Sequence, residues 1–136
     1  MKKTAVLLIF FVSSCLVFAG KIEKAFEALG AYNYFEAKEI FYKSLSKNTL
    51  PCAYGLSIIY ERDDNPFYHL DSAYKYICLA DSSYFKAEEK ELEKWKQLSI
   101  DSMAIQNLKD SIDRKAWLNI KDAKEASIFQ SYLDQF

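Results

Sequence analysis

The stretch NYFEAKEIFYKSL, residues 33–45, carries a spacing that HLDSAYKYICLAD, residues 69–81, repeats 36 residues later. Each stretch has a small, a large and a small residue at steps of four and three: Ala37, Phe41 and Ser44, then Ala73, Ile77 and Ala80. Such steps place the three residues on one face of a helix. The small residues let a neighbouring helix approach, and the large residue fills the space beside it. We therefore predict an all-α protein of stacked antiparallel helix hairpins.

The other apolar residues also recur at helical spacing, and together they predict about seven helices. The first helix ends near Gly30, and Pro51 fits the first turn of the third helix, where its missing N–H is no loss. The DDNP stretch, residues 63–66, ends that third helix, because the residue before a proline is disfavoured in helical conformation. We expect Asp71 to cap a fourth helix over residues 72–80.

The second half of the chain is more highly charged. The stretch KAEEKELEKWKQL, residues 86–98, predicts a solvated helix with one buried stripe, formed by Leu92, Trp95 and Leu98. Either Asp101 or Ser102 is expected to cap a longer helix that ends near Ile120. A seventh helix is expected to follow it.

This change of composition divides the chain into two hairpins over residues 20–84 and further helices over residues 85–136. The last helix ends on an apolar stripe without a polar tail: Ile128, Tyr132, Leu133 and Phe136. We expect the natural protein to continue beyond this stripe, with diverged repeats. The alternative is that the last helix docks through the stripe.

Residues 1–19 have the layout of a secretory signal, with a basic start, an apolar run and small residues before Gly20. The apolar run is about fourteen residues, which is short for a bilayer that needs roughly 20. We expect cleavage after Ala19 and export to the periplasm or cell envelope. The alternative is lipidation of Cys15, because VSSC has the pattern of a lipoprotein box. Membrane association is expected only through an uncleaved signal or this lipidation.

The composition argues against several classes of protein. The net charge is −1 and both signs are mixed along the chain, so there is no basic stripe for nucleic acid. Three glycines and two prolines are few for a β protein. Ten tyrosines, ten phenylalanines and two tryptophans predict that bulky residues fill much of the interior.

Two cysteines, Cys52 and Cys78, lie beyond the signal. One interpretation is that both are small buried apolar side chains. The other is a disulfide, which persists in an exported protein and which a helix hairpin can bring within reach.

The motifs of catalysis and metal binding are missing from the sequence. His69 is the only histidine and is expected to be an ordinary surface residue ahead of a helix. The cysteines lack the close spacing of a zinc site, and the acidic residues around Asp71 lack the glycine and the spacing of a calcium loop. No phosphate loop, dinucleotide fingerprint or nucleophile elbow occurs. We expect no catalytic residue, no metal and no cofactor.

The sequence resembles the tetratricopeptide repeats over residues 21–81. The stretch from Tyr34 to Ser44 is similar to the second helix of such a repeat, and Leu56, Ser57 and Tyr60 match the first helix of the next. Two departures are a longer turn at residues 63–70 and the 36-residue spacing, where the family repeats every 34 or so.

The resemblance implies that the first helix of each repeat lines a concave face that binds a partner protein. Transferred position by position, this implies partner contacts at Phe26, Leu29, Tyr54, Ile58, Glu61 and Arg62, with Ile22 beside them. The function expected is a non-enzymatic protein-interaction module of the bacterial cell envelope.

Two other functions remain open. A structural spacer would position a C-terminal domain beyond this chain. A small-ligand or sugar-binding protein would use an aromatic pocket, for which Tyr32, Tyr54 and Tyr60 are the first candidates.

Overall fold

The computed structural model describes residues 20–136, which form seven helices and no strand. The predicted all-α class is therefore confirmed for these residues. The expected signal segment and Cys15 lie outside them. The helices are α1 (Lys21–Gly30), α2 (Tyr34–Ser44), α3 (Thr49–Glu61), α4 (Leu70–Lys86), α5 (Glu89–Lys96), α6 (Ser102–Ile120) and α7 (Ala126–Gln135).

Helix α3 is the centre of the molecule. Eight of its thirteen residues are buried, and it packs against α1, α2, α4 and α6. Pro51 lies in its first turn, as predicted, where an unpaired N–H is normal. The pairs α1–α2 and α3–α4 are the most closely packed sequential neighbours, and α2 joins them by packing on α3.

The repeated small–large–small pattern marks the buried faces of α2 and α4. Five of its six residues are fully buried: Ala37, Phe41, Ala73, Ile77 and Ala80. Ser44 is only half-buried. The Phe41 ring lies so close to the backbone of α3 that a Cβ added at Gly55 would overlap it. The pattern therefore marks buried helix faces, as predicted. Gly55 of α3 is the small residue that leaves room for the Phe41 ring.

A buried hydroxyl fixes the crossing of α3 and α4. The Ser57 side chain is fully buried, and its Oγ donates a hydrogen bond to the Ala73 carbonyl (2.9 Å). A hydroxyl without a partner would be costly in this position. Its bond to Ala73 lets the two backbones approach without leaving a polar atom unpaired.

The predicted limits of α4 were wrong at both ends. His69, not Asp71, is the N-cap, because its Nδ1 accepts the Ser72 N–H (3.1 Å). Asp71 lies in the first turn, where its charge favours the helix N-terminus. At the other end, the hydroxyls of Ser82 and Ser83 donate to the Leu79 carbonyl, so polar residues are accommodated and the helix runs on to Lys86.

The boundary expected at residues 84/85 falls inside α4, which also packs against α6. The core continues across it through four fully buried side chains of the second half: Trp95, Ile100, Ile105 and Ile112. Of the two caps expected for α6, the structure has Asp101, which accepts the Ala104 N–H (2.8 Å). Trp117, near the end of α6, is exposed.

Helix α7 packs only loosely on the rest and has no buried residue. Phe136 stacks on Tyr132, lies 4.6 Å from the Tyr74 ring, and accepts a hydrogen bond from Tyr74 Oη at its carbonyl (3.3 Å). Tyr132 Oη also donates to Asp113 of α6. Leu133, expected in the docking stripe, is 69% exposed. Only part of that stripe therefore contacts the protein.

Candidate functional site

The outer face of α2 carries exposed aromatic residues. Phe35, Lys38 and Tyr42 are spaced by three and four, so they share one face of the helix, which flanks the buried face. Phe35 is 68% exposed and Tyr42 is 41% exposed. Large apolar rings held in solvent cost free energy that a binding partner would recover. This face of α2 is therefore the first element of a candidate site.

The loop between α3 and α4 adds a second ring. The Asn65 amide donates to the carbonyls of Ile59 (2.9 Å) and Arg62 (2.7 Å), and its Oδ1 accepts the Phe67 N–H (2.8 Å). This turn places Phe67 edge-on against Phe35, with ring centroids 4.8 Å apart. The longer turn noted in the sequence thus supplies a wall of the site.

Three tyrosines from three helices meet beside these rings. Tyr76 Oη donates to Tyr42 Oη (3.0 Å), and the Tyr42 and Tyr60 hydroxyls are also hydrogen-bonded (2.7 Å). The Tyr60 and Tyr76 rings stack 5.7 Å apart and nearly parallel. Burial and the bond to Tyr42 raise the pKa of Tyr76 to about 12. Burial also raises the pKa of Tyr42, so the phenols of Tyr42 and Tyr76 stay neutral at physiological pH.

Lys38 lies among these rings. Its ammonium is 3.8 Å from the Phe67 ring centroid, 5.6 Å from that of Tyr60 and 5.7 Å from that of Tyr42. These are cation–π distances. The ion pairs formed within residues 20–136 do not include Lys38, whereas the neighbouring Glu39 is bound by Lys43. Lys38 is thus a half-buried cation that contacts ring faces and no carboxylate.

We name this region the aromatic–lysine surface, formed by Phe35, Lys38, Tyr42, Tyr60, Phe67 and Tyr76. An open groove of about 510 Å³ runs along it and is lined in part by Glu39 and Lys43. The surface has exposed apolar area, hydroxyls and one cation, which suits the binding of a macromolecule more than chemistry on a small substrate.

The residues that the family resemblance implied for partner binding do not form one exposed face. Leu29 is buried, and Phe26 packs edge-on against Phe41 at 4.9 Å, so both belong to the core. Tyr54 and Ile58 are half-buried and pack against the same core. Burial raises the pKa of Tyr54 and keeps its hydroxyl neutral.

Glu61 and Arg62 form contacts within the chain. The Glu61 carboxylate accepts a hydrogen bond from Ser111 Oγ (2.8 Å) and pairs with Lys115 (2.9 Å), which joins α3 to α6. The Arg62 guanidinium lies 4.9 Å from the Tyr32 ring centroid and 3.7 Å from an Asp64 carboxylate oxygen. The charged groups of Glu61 and Arg62, which were expected to contact another protein, are thus paired with residues of the same chain.

The three tyrosines proposed for a ligand pocket lie in different surroundings. Tyr32 follows α1 and contacts Arg62, and Tyr54 is half-buried against the core. Only Tyr60 belongs to the aromatic–lysine surface.

Both cysteines of the described residues are free thiols. Burial raises the pKa of Cys52 to about 12, so its thiol stays protonated and unreactive near neutral pH. Cys78 is half-buried and packs against the core. The structure therefore describes both as apolar side chains.

Within residues 20–136, no three His, Cys, Asp or Glu side chains cluster in a way that could hold a metal ion. None of the helices in this part of the chain is long and apolar enough to cross a membrane. His69 is exposed and uses its Nδ1 to cap α4.

Sequence reasoning named only Tyr60 of this surface and missed its other five residues: Phe35, Lys38, Tyr42, Phe67 and Tyr76. The sequence does distinguish Phe35. It is a large apolar residue one position after Tyr34, so it cannot lie on the same buried face of α2 as Tyr34. No local signal identified Phe67, since its position depends on the turn at Asn65.

Comparison with known proteins identifies no relative: no family model, no curated protein and no solved structure matches the chain.

Proposed function

We propose that the chain is a non-enzymatic helical scaffold that binds another protein through the aromatic–lysine surface. One observation carries this proposal. Phe35 and Tyr42 hold large rings in solvent on one face of α2, beside Phe67 and the Lys38 ammonium, which no carboxylate of residues 20–136 pairs with. Aromatic residues are among the side chains that most often supply binding energy at protein interfaces.

The proposal moves the expected partner contacts to another face. In the tetratricopeptide repeats that the sequence resembles, the first helices bind the partner, but here α1 and α3 are packed into the core. The hairpins α1–α2 and α3–α4 suit a repeat-like stack, and we propose such a stack as the scaffold. Its outer helices, α2 and α4, then carry most of the binding surface.

We place the partner in the bacterial cell envelope. The support is the signal-like layout of residues 1–19, which favours export, with lipidation of Cys15 as the alternative route to the membrane. Neither a cofactor nor a nucleic acid forms part of the proposal.

The test is affinity capture after crosslinking in cells, with the exported protein tagged at its C-terminus. Wild type is compared with a Phe35→Ala/Tyr42→Ala double variant. Phe85→Ala is the matched control, because Phe85 is 80% exposed on α4 and lies outside the surface. We expect a stoichiometric envelope protein to be captured by wild type and by the control, and lost in the double variant. Equal capture by all three would contradict the proposal.

A further inference from the structure

The Lys38 side chain is half-buried, and none of the ion pairs formed within residues 20–136 includes its ammonium. The contacts of the ammonium are the π faces of Phe67, Tyr42 and Tyr60. Ring faces attract a cation but carry no net charge to balance it. The other lysine of the groove, Lys43, is bound to Glu39. The groove therefore has one free positive charge between apolar walls.

We propose that the groove binds an acidic peptide segment of the partner, with an Asp or Glu carboxylate on Lys38 and apolar side chains on Phe35 and Phe67. This inference rests on the proposed function and specifies the chemistry of its ligand. A carboxylate is the group that a half-buried ammonium lacks, and a pair of this kind contributes to specificity as well as affinity.

The dimensions of the groove fit a short extended segment. Phe35 and Tyr42 are seven residues apart on α2, which spans about 10 Å at 1.5 Å per residue. An extended chain covers about 3.3 Å per residue, so three or four residues lie along the groove. Apolar neighbours of the acidic residue then reach the rings at either end.

Other polymers fit the site less well. A nucleic acid needs several cations to neutralise its phosphates, whereas Glu39 already neutralises Lys43 and leaves Lys38 alone. A neutral sugar has no charge that could balance the Lys38 ammonium. One cation between rings matches one carboxylate between apolar side chains.

The test is selection from a phage-displayed library of random twelve-residue peptides against the folded residues 20–136. The same library is also selected in parallel against three variants of the protein: Lys38→Glu, Phe35→Ala/Tyr42→Ala, and Lys90→Glu. The last is a charge-reversal control at an exposed lysine of α5, outside the groove. Circular dichroism and thermal melting confirm that each variant is folded before selection.

We expect wild type and Lys90→Glu to select peptides with Asp or Glu next to apolar residues. The Lys38→Glu variant should instead select peptides that have Lys or Arg in place of the acidic residue. One peptide selected by the wild-type protein is then synthesised. Its affinity should fall about tenfold when its acidic residue is replaced by Gln, and equally when Lys38 of the protein is replaced by Met. The two losses should not add when combined, as expected for groups in contact.

Two results would overturn the inference, and they are distinguishable. In the first, the selected peptides require Phe35 and Tyr42 but show no preference for Asp or Glu. This result would contradict the pairing of a carboxylate with Lys38 but would still support the aromatic–lysine surface as the binding site. If no selected peptide depends on Phe35 and Tyr42, the proposed function fails as well.

Discussion

At the scale of single residues, close packing decides what the core of this protein tolerates. Phe41, Gly55 and Ser57 are all fully buried where α2, α3 and α4 meet. A glycine in a helix interior normally costs about 0.5–1 kcal/mol relative to alanine. Gly55 is nevertheless required here, because the Phe41 ring occupies the space that a methyl group would fill.

We therefore expect Gly55→Ala to lower the free energy of unfolding by about 1–3 kcal/mol, despite the better helix propensity of alanine. Gly30→Ala is the control, because nothing lies within 4 Å of a Cβ at that position. It should be neutral or slightly stabilising. Urea denaturation of both variants measures the difference, and equal stability of the two would show that Phe41 does not contact α3 this closely.

Two residues adopt a left-handed backbone conformation that favours glycine. Tyr32 has φ of 60° and Ser99 has φ of 58°. Each lies just after a helix end, and the hydrogen bonds around it, such as Asn33 N–H to Ala28 O (2.8 Å) and Ile100 N–H to Trp95 O (3.2 Å), are those of a Schellman motif. Glycine would remove the strain at both.

We predict that Ser99→Gly raises the free energy of unfolding by about 0.5–1 kcal/mol, because it relieves strain and removes no contact. Tyr32→Gly should gain less, since it also deletes the cation–π contact with Arg62. Chemical denaturation of the two variants checks the order. A larger gain for Tyr32→Gly would mean that its contact with Arg62 contributes nothing.

At the scale of helices, stability is uneven. Helix α3 is buried on most sides, whereas α7 contributes no buried residue and is held by Tyr132, Phe136 and their partners on α4 and α6. Local opening is easiest where few apolar contacts are lost.

We expect amide hydrogen exchange to rank the helices accordingly, with α7 least protected and α3 most protected. Tyr132→Phe should speed exchange in α7 by several-fold, because it removes the hydrogen bond to Asp113. Rates in α3 should stay unchanged and act as the internal reference. Protection of α7 equal to that of α3 would contradict this description.

The helices themselves were largely predictable, and their limits show where prediction ends. The apolar periodicity placed all seven, and Asp101 was a recognisable cap for α6. The start of α4 was missed because a histidine is an unusual cap, and its end because serines bonded within the helix resemble a loop in sequence. The candidate site was missed because Phe67 reaches Phe35 only through the tertiary turn at Asn65.

At the scale of the whole molecule, tyrosine and cysteine side chains that stay protonated in the fold make the free energy of unfolding depend on pH in the alkaline range. Burial and a hydrogen bond to Asp64 raise the pKa of Tyr34 to about 12, and the pKa values of Tyr76 and Cys52 are also about 12. In the unfolded chain these groups lose protons near their ordinary pKa values, about 10 for tyrosine and about 8.5 for cysteine. The unfolded state then binds fewer protons than the folded state, so stability falls as the pH rises.

We therefore expect full stability from these groups below about pH 8.5 and a progressive loss toward pH 12. Cys52→Ala should flatten the alkaline decline between about pH 8.5 and 10, and Tyr34→Phe should flatten it above about pH 10. Urea midpoints measured at half-unit pH steps give the slopes. A wild-type slope identical to that of both variants would show that these groups do not carry the effect.

The whole molecule also determines where a partner can bind. The buried faces of α2 and α4 build the core, and their outer faces bring the rings of the aromatic–lysine surface together. Together with Tyr60 of α3 and Phe67 of the α3–α4 loop, these helices contribute to both the core and the surface, which makes the surface rigid and pre-organised for binding.

Site-specific photocrosslinking tests the central claim most directly. A photoreactive phenylalanine analogue replaces Phe35 in one variant and the still more exposed Phe85 in the other, and both are irradiated in cells. The account predicts that one protein crosslinks at position 35 and not at position 85, and that Lys38→Glu weakens this product. Identical products at both positions, or none at position 35, would contradict the assignment of this surface as the binding site.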